Sequence, residues 1–368
     1  STIYCRSYKF DMSDSTFNNI KPGVNRAIMY INLDENDGLQ PRITNCTFND
    51  NLGRIEFASG DGETVSGSSV TFSKCHIYNS FKGYSQASGL FILGYIKSEN
   101  IIIEDCTFER NGGICIYQDA GSKTIYNTNI VRCTFSNNEG PSGCCIKSDK
   151  TGSFDKKIII EDCIFKYNTA TSVDSNGFKH GCVQTYPGNT EFKGVNEFIG
   201  NKNIVKESIS SDASKSLGGS LTIYQTDRRN EYTISNLIFQ DSYSDYYGGA
   251  LGILSYDYVG GESSSLFVQI DNCTFINCSS KEQGGCIKFG MKLFIENRYF
   301  TDDINITNCI FTNCQSAEGG ALYFMNGDQK GDEETVIQNC TFDGCSATTT
   351  GSTIYCRSYK FDMSDSTF

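Results

Sequence analysis

Apolar and polar residues alternate in short runs along the whole chain. Ile55 and Phe57 flank Glu56, and Ile287 and Phe289 flank Lys288. A period of two is the signature of a half-buried strand. It predicts that Ile55, Phe57, Ile287 and Phe289 face a core and that Glu56 and Lys288 face outward. The helical spacing i, i+3, i+4 is not sustained anywhere. These runs fall into two recurring motifs. The first reads ITNCTFNDN at 43–51, IEDCTFERN at 103–111, IEDCIFKYN at 160–168, IDNCTFINC at 270–278, ITNCIFTNC at 306–314 and IQNCTFDGC at 337–345. Its aromatic slot holds Phe17, Phe48, Ile77, Phe108, Phe135, Phe165, Phe198, Phe239, Phe275, Phe311, Phe342 and Phe368, at spacings of 26 to 41 residues. The second motif is a Gly-Gly bend followed by a strand: GGALGIL at 248–254, GGCIKFG at 284–290 and GGALYFM at 319–325.

Each unit therefore has three short strands separated by bends. Such a unit cannot bury its own inner face, but stacked units can. The pattern predicts an all-β fold, a right-handed parallel β-helix, because parallel crossovers are almost always right-handed. Neighbouring coils are expected ~4.8 Å apart. The Phe residues would form a core ladder.

A longer period encloses the short one. Residues 1–17 and 352–368 are the same seventeen letters, STIYCRSYKFDMSDSTF. The eleven spacings of the aromatic slot add to 351 residues, so Phe368 is Phe17 come round again. We read residues 1–351 as one block of about eleven coils and 352–368 as the start of the next identical block. Neither end shows a polar capping unit, and solenoids with ordinary ends need one.

Three residues before each aromatic lies a bend: Asp14, Asn45, Lys74, Asp105, Arg132, Asp162, Val195, Asn236, Asn272, Asn308 and Asn339. Asn suits such a bend because it tolerates the left-handed conformation, and its amide can bond the coils on either side. Lys74, Asp105, Arg132 and Asp162 alternate in sign. They read either as an ion-pair ladder or as four exposed charges at a turn.

The eighteen cysteines fit an oxidising, extracellular setting. Cys46, Cys75, Cys106, Cys133, Cys163, Cys273, Cys309 and Cys340 lie two before the aromatic and read as buried thiols. The others sit at bends. Stacked columns suit the Cα separation of a disulfide, so Cys314–Cys345 and Cys115–Cys145 are expected between coils, with Cys278–Cys286 closing one loop. One block holds 17 cysteines, an odd number, which leaves at least one thiol.

The formal charge of −12 argues against nucleic acid and anionic membranes as partners. No run of 18 apolar residues marks a membrane span, and no basic-then-apolar leader opens the sequence. No cofactor is expected. Zinc lacks a CxxC pair, and the only histidines, His76 and His180, read as surface residues. The acidic loops at 33–38, 59–64 and 327–334 could bind calcium, although none has a full ligand pattern. Glu104, Asp105, Glu161 and Asp162 near Arg132 are the carboxylates a hydrolase or lyase would need. Their recurrence at motif positions favours a structural role. Glycosylation sequons occur at Asn45, Asn272, Asn277, Asn305 and Asn339. Of these, Asn277 and Asn305 are the candidates, Asn305 being the less constrained by the repeat.

The Gly-Gly-Ala-Leu motifs at 248–251 and 319–322 resemble the repeats of the chlamydial polymorphic outer membrane proteins. So do the Phe-x-x-Asn motifs of Phe48–Asn51, Phe108–Asn111, Phe135–Asn138, Phe165–Asn168 and Phe198–Asn201. Similar repeats occur in large surface proteins of protists. The resemblance implies an adhesive, extracellular β-helix without catalytic residues. The reading that follows is a structural unit of an extracellular fibre, whose partners are copies of itself end to end and possible lateral protofilaments or surface glycans. An adhesin binding glycan or protein through its loops is the alternative, and a polysaccharide lyase or hydrolase the third.

Overall fold

The computed structural model describes residues 2–6, 9–21, 27–32, 40–58, 65–80, 87–93, 98–119, 126–141, 143–148, 157–172, 179–185, 190–205, 216–225, 230–255, 266–290, 303–325, 334–358 and 360–368. These residues form parallel strands that stack coil on coil, as a right-handed parallel β-helix. The chain divides into two compact units, Ser1–Thr169 with Asn189–Asn196, and Ala170–Gly188 with Glu197–Phe368.

In the first unit one sheet runs from Ile3–Arg6 to Ile146–Ser148 and holds the strands that follow the glycine bends. A second runs from Asp11–Ser13 to Thr190–Lys193, and a third from Thr16–Asn18 to Ile164–Lys166. The register places like motif positions opposite each other: Phe17↔Phe48, Phe48↔Ile77, Phe108↔Phe135 and Phe135↔Phe165. The second unit repeats the three sheets. They run from Val183–Thr185 to Ile354–Arg357, from Asn230–Ser235 to Lys360–Ser364 and from Leu237–Gln240 to Thr341–Asp343. A fourth row of short strands comes directly after the aromatic strand: Glu139–Pro141 in the first unit, and Lys202–Asn203, Tyr243–Ser244, Ser279–Ser280, Gln315–Glu318 and Ser346–Thr350 in the second. Three strands per coil were expected; here the bend after the aromatic strand is followed by enough regular backbone for a fourth.

Burial follows the alternation. The strand Asn127–Val131 alternates half-buried and buried residues, and Phe48, Phe108, Phe135, Phe165, Phe198, Phe239, Phe275, Phe311 and Phe342 are all buried. Parallel in-register pairing forces identical side chains to lie one strand spacing apart, so the rings stack. Phe108 and Phe135 lie 4.9 Å apart between centroids, and Phe275 and Phe311 lie 4.8 Å apart. In the first unit Ile77 interrupts the ring ladder between Phe48 and Phe108.

Two bends per coil are made by single residues in the left-handed region. One column holds Asp14, Asn45, Lys74, Asp105, Arg132, Asp162, Asn236, Asn272, Asn308, Asn339 and Asp365, at φ of 49° to 59°. The other, two residues after the aromatic, runs through Asn19, Asp50, Asn79, Arg110, Asn137, Tyr167, Asp241, Asn277 and Asn313. Asn and Asp dominate because they enter this region at low cost. Val195 was expected in the first column and is not there. The strand Asn196–Ile199 carries one extra residue, which moves the bend to Gly194 at φ +61°. A β-branched residue is disfavoured in that conformation, and a Cβ at Gly194 would collide with the Asp162 carboxylate.

Phe275 stacks on both sides, against Phe239 at 5.0 Å and Phe311 at 4.8 Å. Phe275→Ala is expected to destabilise the fold by about 3–5 kcal/mol, read from the shift of the denaturation midpoint.

Candidate functional site

The chemistry-bearing side chains stand in columns parallel to the coil stack, since each coil repeats the residue types of the one before. The outer column at the first bend is an amide ladder. Asn45 donates to Asp14, Asn272 donates from Nδ2 to Asn236 Oδ1 at 2.7 Å, and Asn339 donates to Asn308 Oδ1 at 2.7 Å. Asn308 departs from the column and donates to Asp271 Oδ1 at 2.7 Å. Within the charged stretch, the ion pair is Arg132 with Asp105: Nε and Nη2 donate to the two carboxylate oxygens at 2.7 and 3.0 Å. These bonds hold the Asp105 carboxyl below its usual range, with Lys74 adding a weaker field. Asp162 instead accepts the Val195 amide at 3.0 Å. The candidate catalytic carboxylates Asp105 and Asp162 are thus engaged in joining one coil to the next, and Glu104 lies 3.5 Å from the same Arg132.

A second, inner polar column was not anticipated. Asn51, Asn111, Asn138 and Asn168, three residues after the aromatic, are buried. Asn138 Oδ1 accepts the Asn111 amide at 2.9 Å, and Asn138 Nδ2 donates to the Phe108 carbonyl at 3.0 Å and to Asn168 Oδ1 at 2.9 Å. Burying an amide is tolerable only when its donors and acceptors are met, and backbone left over at the bend meets them. The recurring Phe-x-x-Asn spacing was its visible signal.

In the second unit Ser242, Cys278, Cys314 and Cys345 take this inner slot. Its facing position is the residue after the Gly-Gly pair of the preceding coil: Ser220, Ala250, Cys286 and Ala321 respectively. Ser220 and Ser242 share a hydrogen bond of 2.7 Å between their hydroxyls. Cys286 and Cys314, one coil on, form a disulfide with Cα atoms 6.1 Å apart. The expected pairings Cys314–Cys345, Cys278–Cys286 and Cys115–Cys145 do not form, and Cys345, Cys278, Cys115 and Cys145 are thiols. The contact runs across two columns of adjacent coils, not along one column, so a bridge needs sulfur at both ends. Opposite Cys278 and Cys345 stand Ala250 and Ala321, and the slots equivalent to Cys314 after Cys115 and Cys145 hold Asn138 and Asn168.

The eight cysteines beside the aromatic are buried thiols. Each sulfur bonds backbone: Cys133 Sγ donates to the Ile103 carbonyl at 3.5 Å, and Cys163 Sγ accepts the Cys133 amide at 3.4 Å. Burial pushes the Cys106 and Cys133 thiols far above their ordinary range, so neither is a nucleophilic thiolate.

Two further residues, His180 and Lys288, differ from expectation. His180 is buried beside its buried strand partner Leu217, whose side chain packs over Gly252 on the outer face of a neighbouring strand, and parallel pairing turns both residues the same way. His76 remains partly exposed, its ring 4.4 Å from that of Tyr78. Lys288 faces outward but is buried at 3% exposure, its Nζ 3.8 Å from the Tyr323 ring centroid and 5.8 Å from that of Tyr247. Desolvation lowers its pKa to about 7, opposed by Glu318. Register places Tyr323 directly opposite Lys288, and alternation within one strand could not show that cover.

Asn277 sits at the second left-handed bend and donates to Asp241 Oδ1 at 3.1 Å. Asn305 lies within the strand Asp303–Thr307 with its Oδ1 buried, so it is more constrained than its place outside the Asn-Cys motif suggested. Among the described residues no cluster of three or more His, Cys, Asp or Glu side chains could hold a metal ion. The acidic loops at 33–38 and 59–64, and 327–333 of the third, lie outside the described residues.

Two outcomes are expected. Ala250→Cys should form a second bridge, to Cys278, detected as the loss of one further thiol in a denaturing thiol titration. For Lys288 the folded-state pKa lies below the unfolded value. Its burial penalty is therefore full below about pH 7 and relieved as pH rises toward 10.5. Denaturation midpoints should show wild type gaining on Lys288→Met between pH 7 and 10; a pH-independent difference would contradict this.

The family model for right-handed beta helix regions matches residues 10–236. Comparison with curated proteins and with solved structures gives no match. The family match covers more than half of the chain, and the parallel coils and their stacked columns agree with it: the chain belongs to the right-handed β-helix family.

Proposed function

We propose that this chain is a structural repeat unit of an extracellular or cell-surface fibre, in which 351-residue blocks continue end to end as one β-helix, with no catalytic role and no cofactor. One observation carries the reading. The same seventeen residues pair correctly on both of their edges. At 3–6 they pair forward, Ile3↔Met29, Tyr4↔Tyr30 and Cys5↔Ile31. At 354–357 they pair backward, Leu322↔Ile354, Tyr323↔Tyr355 and Phe324↔Cys356. Met12 lies opposite Ile43, and Met363 opposite Ile337. The aromatic ladder continues on both sides, Phe17 to Phe48 at 4.9 Å and Phe342 to Phe368 at 5.0 Å.

A coil with this sequence therefore accepts residues 322–325 and 334–342 on one edge and 29–32 and 42–49 on the other. That is what a junction between identical blocks requires. The resemblance to surface-protein repeats and the cysteine content support an extracellular setting. Two of the carboxylates that a hydrolase would use, Asp105 and Asp162, are bonded from coil to coil, which favours a structural role for them.

Electron micrographs or fibre diffraction of the native material should show an axial repeat of roughly 50 Å, from eleven coils at the parallel-strand spacing. Compact particles without that repeat would overturn the reading.

A further inference from the structure

Lys288 stands apart from the ladders. Its strand neighbours Ile287 and Phe289 are buried core residues, so Lys288 lies on the outer face of the sheet, yet it is 3% exposed. Two rings cover it. Nζ is 3.8 Å from the Tyr323 centroid in the following coil and 5.8 Å from the Tyr247 centroid in the preceding one. Tyr355 backs Tyr323, stacked on it at 4.6 Å and 5°. In the preceding strand the register partner of Lys288 is Gly252, which offers no side chain.

The amine has no polar partner to hold it. Among the described residues Nζ makes neither a hydrogen bond nor an ion pair, and the charge that acts on it is Glu318, which is half-buried and accepts Gln283 Nε2 at 2.9 Å. A lysine ammonium carries three donors and no acceptor, and burying them unpaired is costly. The neutral form escapes that cost and leaves its lone pair uncommitted, which makes a desolvated lysine amine a nucleophile for carbonyl carbon. Desolvation lowers the Lys288 pKa to about 7, in keeping with this enclosure. Lys281, in the same unit, is the opposite case: it is exposed, and its Nζ lies 2.6 Å from Asp245 Oδ1.

We propose that Lys288 is a covalent attachment site for small aldehydes, which it holds as an imine between Tyr323 and Tyr247. The Nζ lone pair adds to the carbonyl carbon, and a proton passes from nitrogen to the carbonyl oxygen to give a carbinolamine. The hydroxyl then leaves as water with the second nitrogen proton as the C=N bond forms. Nothing is oxidised or reduced, and no cofactor enters. The product suits the enclosure better than the ammonium does. Even when protonated it has a single N–H to satisfy, its cation stays over the ring faces, and the added carbon is apolar surface removed from water. The site lies within one unit and does not depend on the fibre reading.

Acetaldehyde is the probe, with cyanoborohydride to reduce the imine to a stable secondary amine, on the folded 368-residue chain. Peptide mass spectrometry reads the extent of labelling at each lysine, with Lys281 as reference. At pH 7 Lys288 is expected to label about tenfold faster than Lys281, and equally fast in denaturant. The groups facing Nζ are Tyr247, Tyr323 and Glu318, and Tyr323 is pushed up to about 12, so it stays neutral to pH 9. The ratio of Lys288 to Lys281 labelling should therefore fall as pH rises from 7 to 9. Lys281, held protonated by Asp245, keeps gaining neutral amine, while Lys288 has little left to gain. Tyr323→Ala removes the nearer ring and is expected to abolish the excess at pH 7. Lys288 labelling no faster than Lys281 at pH 7, a ratio constant to pH 9, or an excess that survives in denaturant overturns the proposal, as does an excess unchanged by Tyr323→Ala.

Discussion

The structure depends on parallel backbone pairing in strict register from one coil to the next. Once Phe108 lies opposite Phe135, and Phe135 opposite Phe165, every other motif position must also lie opposite its equivalent. A single-residue slip would exchange core and surface along a whole strand. Register in turn relies on two sharp bends per coil, each made by one residue in the left-handed region. Lys74, Arg132 and Tyr167 adopt that conformation as well as Asn and Asp. The bend is thus imposed by the stack, and favourable residues only lower its cost.

Stacking makes polar chemistry repetitive. An Asn at a buried bend can be satisfied because the preceding coil offers both an amide and a carbonyl and the following coil the oxygen of its own Asn, as at Asn138. From the same slot Ser242 and Cys314 instead reach across to the column after the glycine bend, as a hydroxyl pair with Ser220 and a disulfide with Cys286. These are three solutions to one geometric problem. Each ties neighbouring coils together at a point where strand hydrogen bonds have stopped. Carboxylates caught in such columns, Asp105 above all, meet a guanidinium from the adjacent coil.

Much of this was legible in advance. The period of two, the aromatic slot, the glycine bends and the return of residues 1–17 at 352–368 state a parallel β-helix and the identity of its core rings. The bend column was also visible, apart from Val195, where one inserted residue shifted the turn to Gly194. Disulfide partners were not legible. Column membership names the residues that share a level in successive coils, but Cys286 and Cys314 belong to different columns and meet only through the path of the bend.

Local alternation and repeat spacing depend on the residue types within a coil, so the sequence by itself determined three strands of each coil and the stacking of like with like, but not the fourth strand after the aromatic one. The environment of an outward or bend residue depends on what neighbouring coils place beside it. Tertiary structure alone therefore decided that Lys288 is covered by Tyr323 and Tyr247, that His180 is buried beside Leu217, and that the inner Asn column is buried. Distances across two columns are fixed by the turn geometry of the assembled stack, which no single coil encodes.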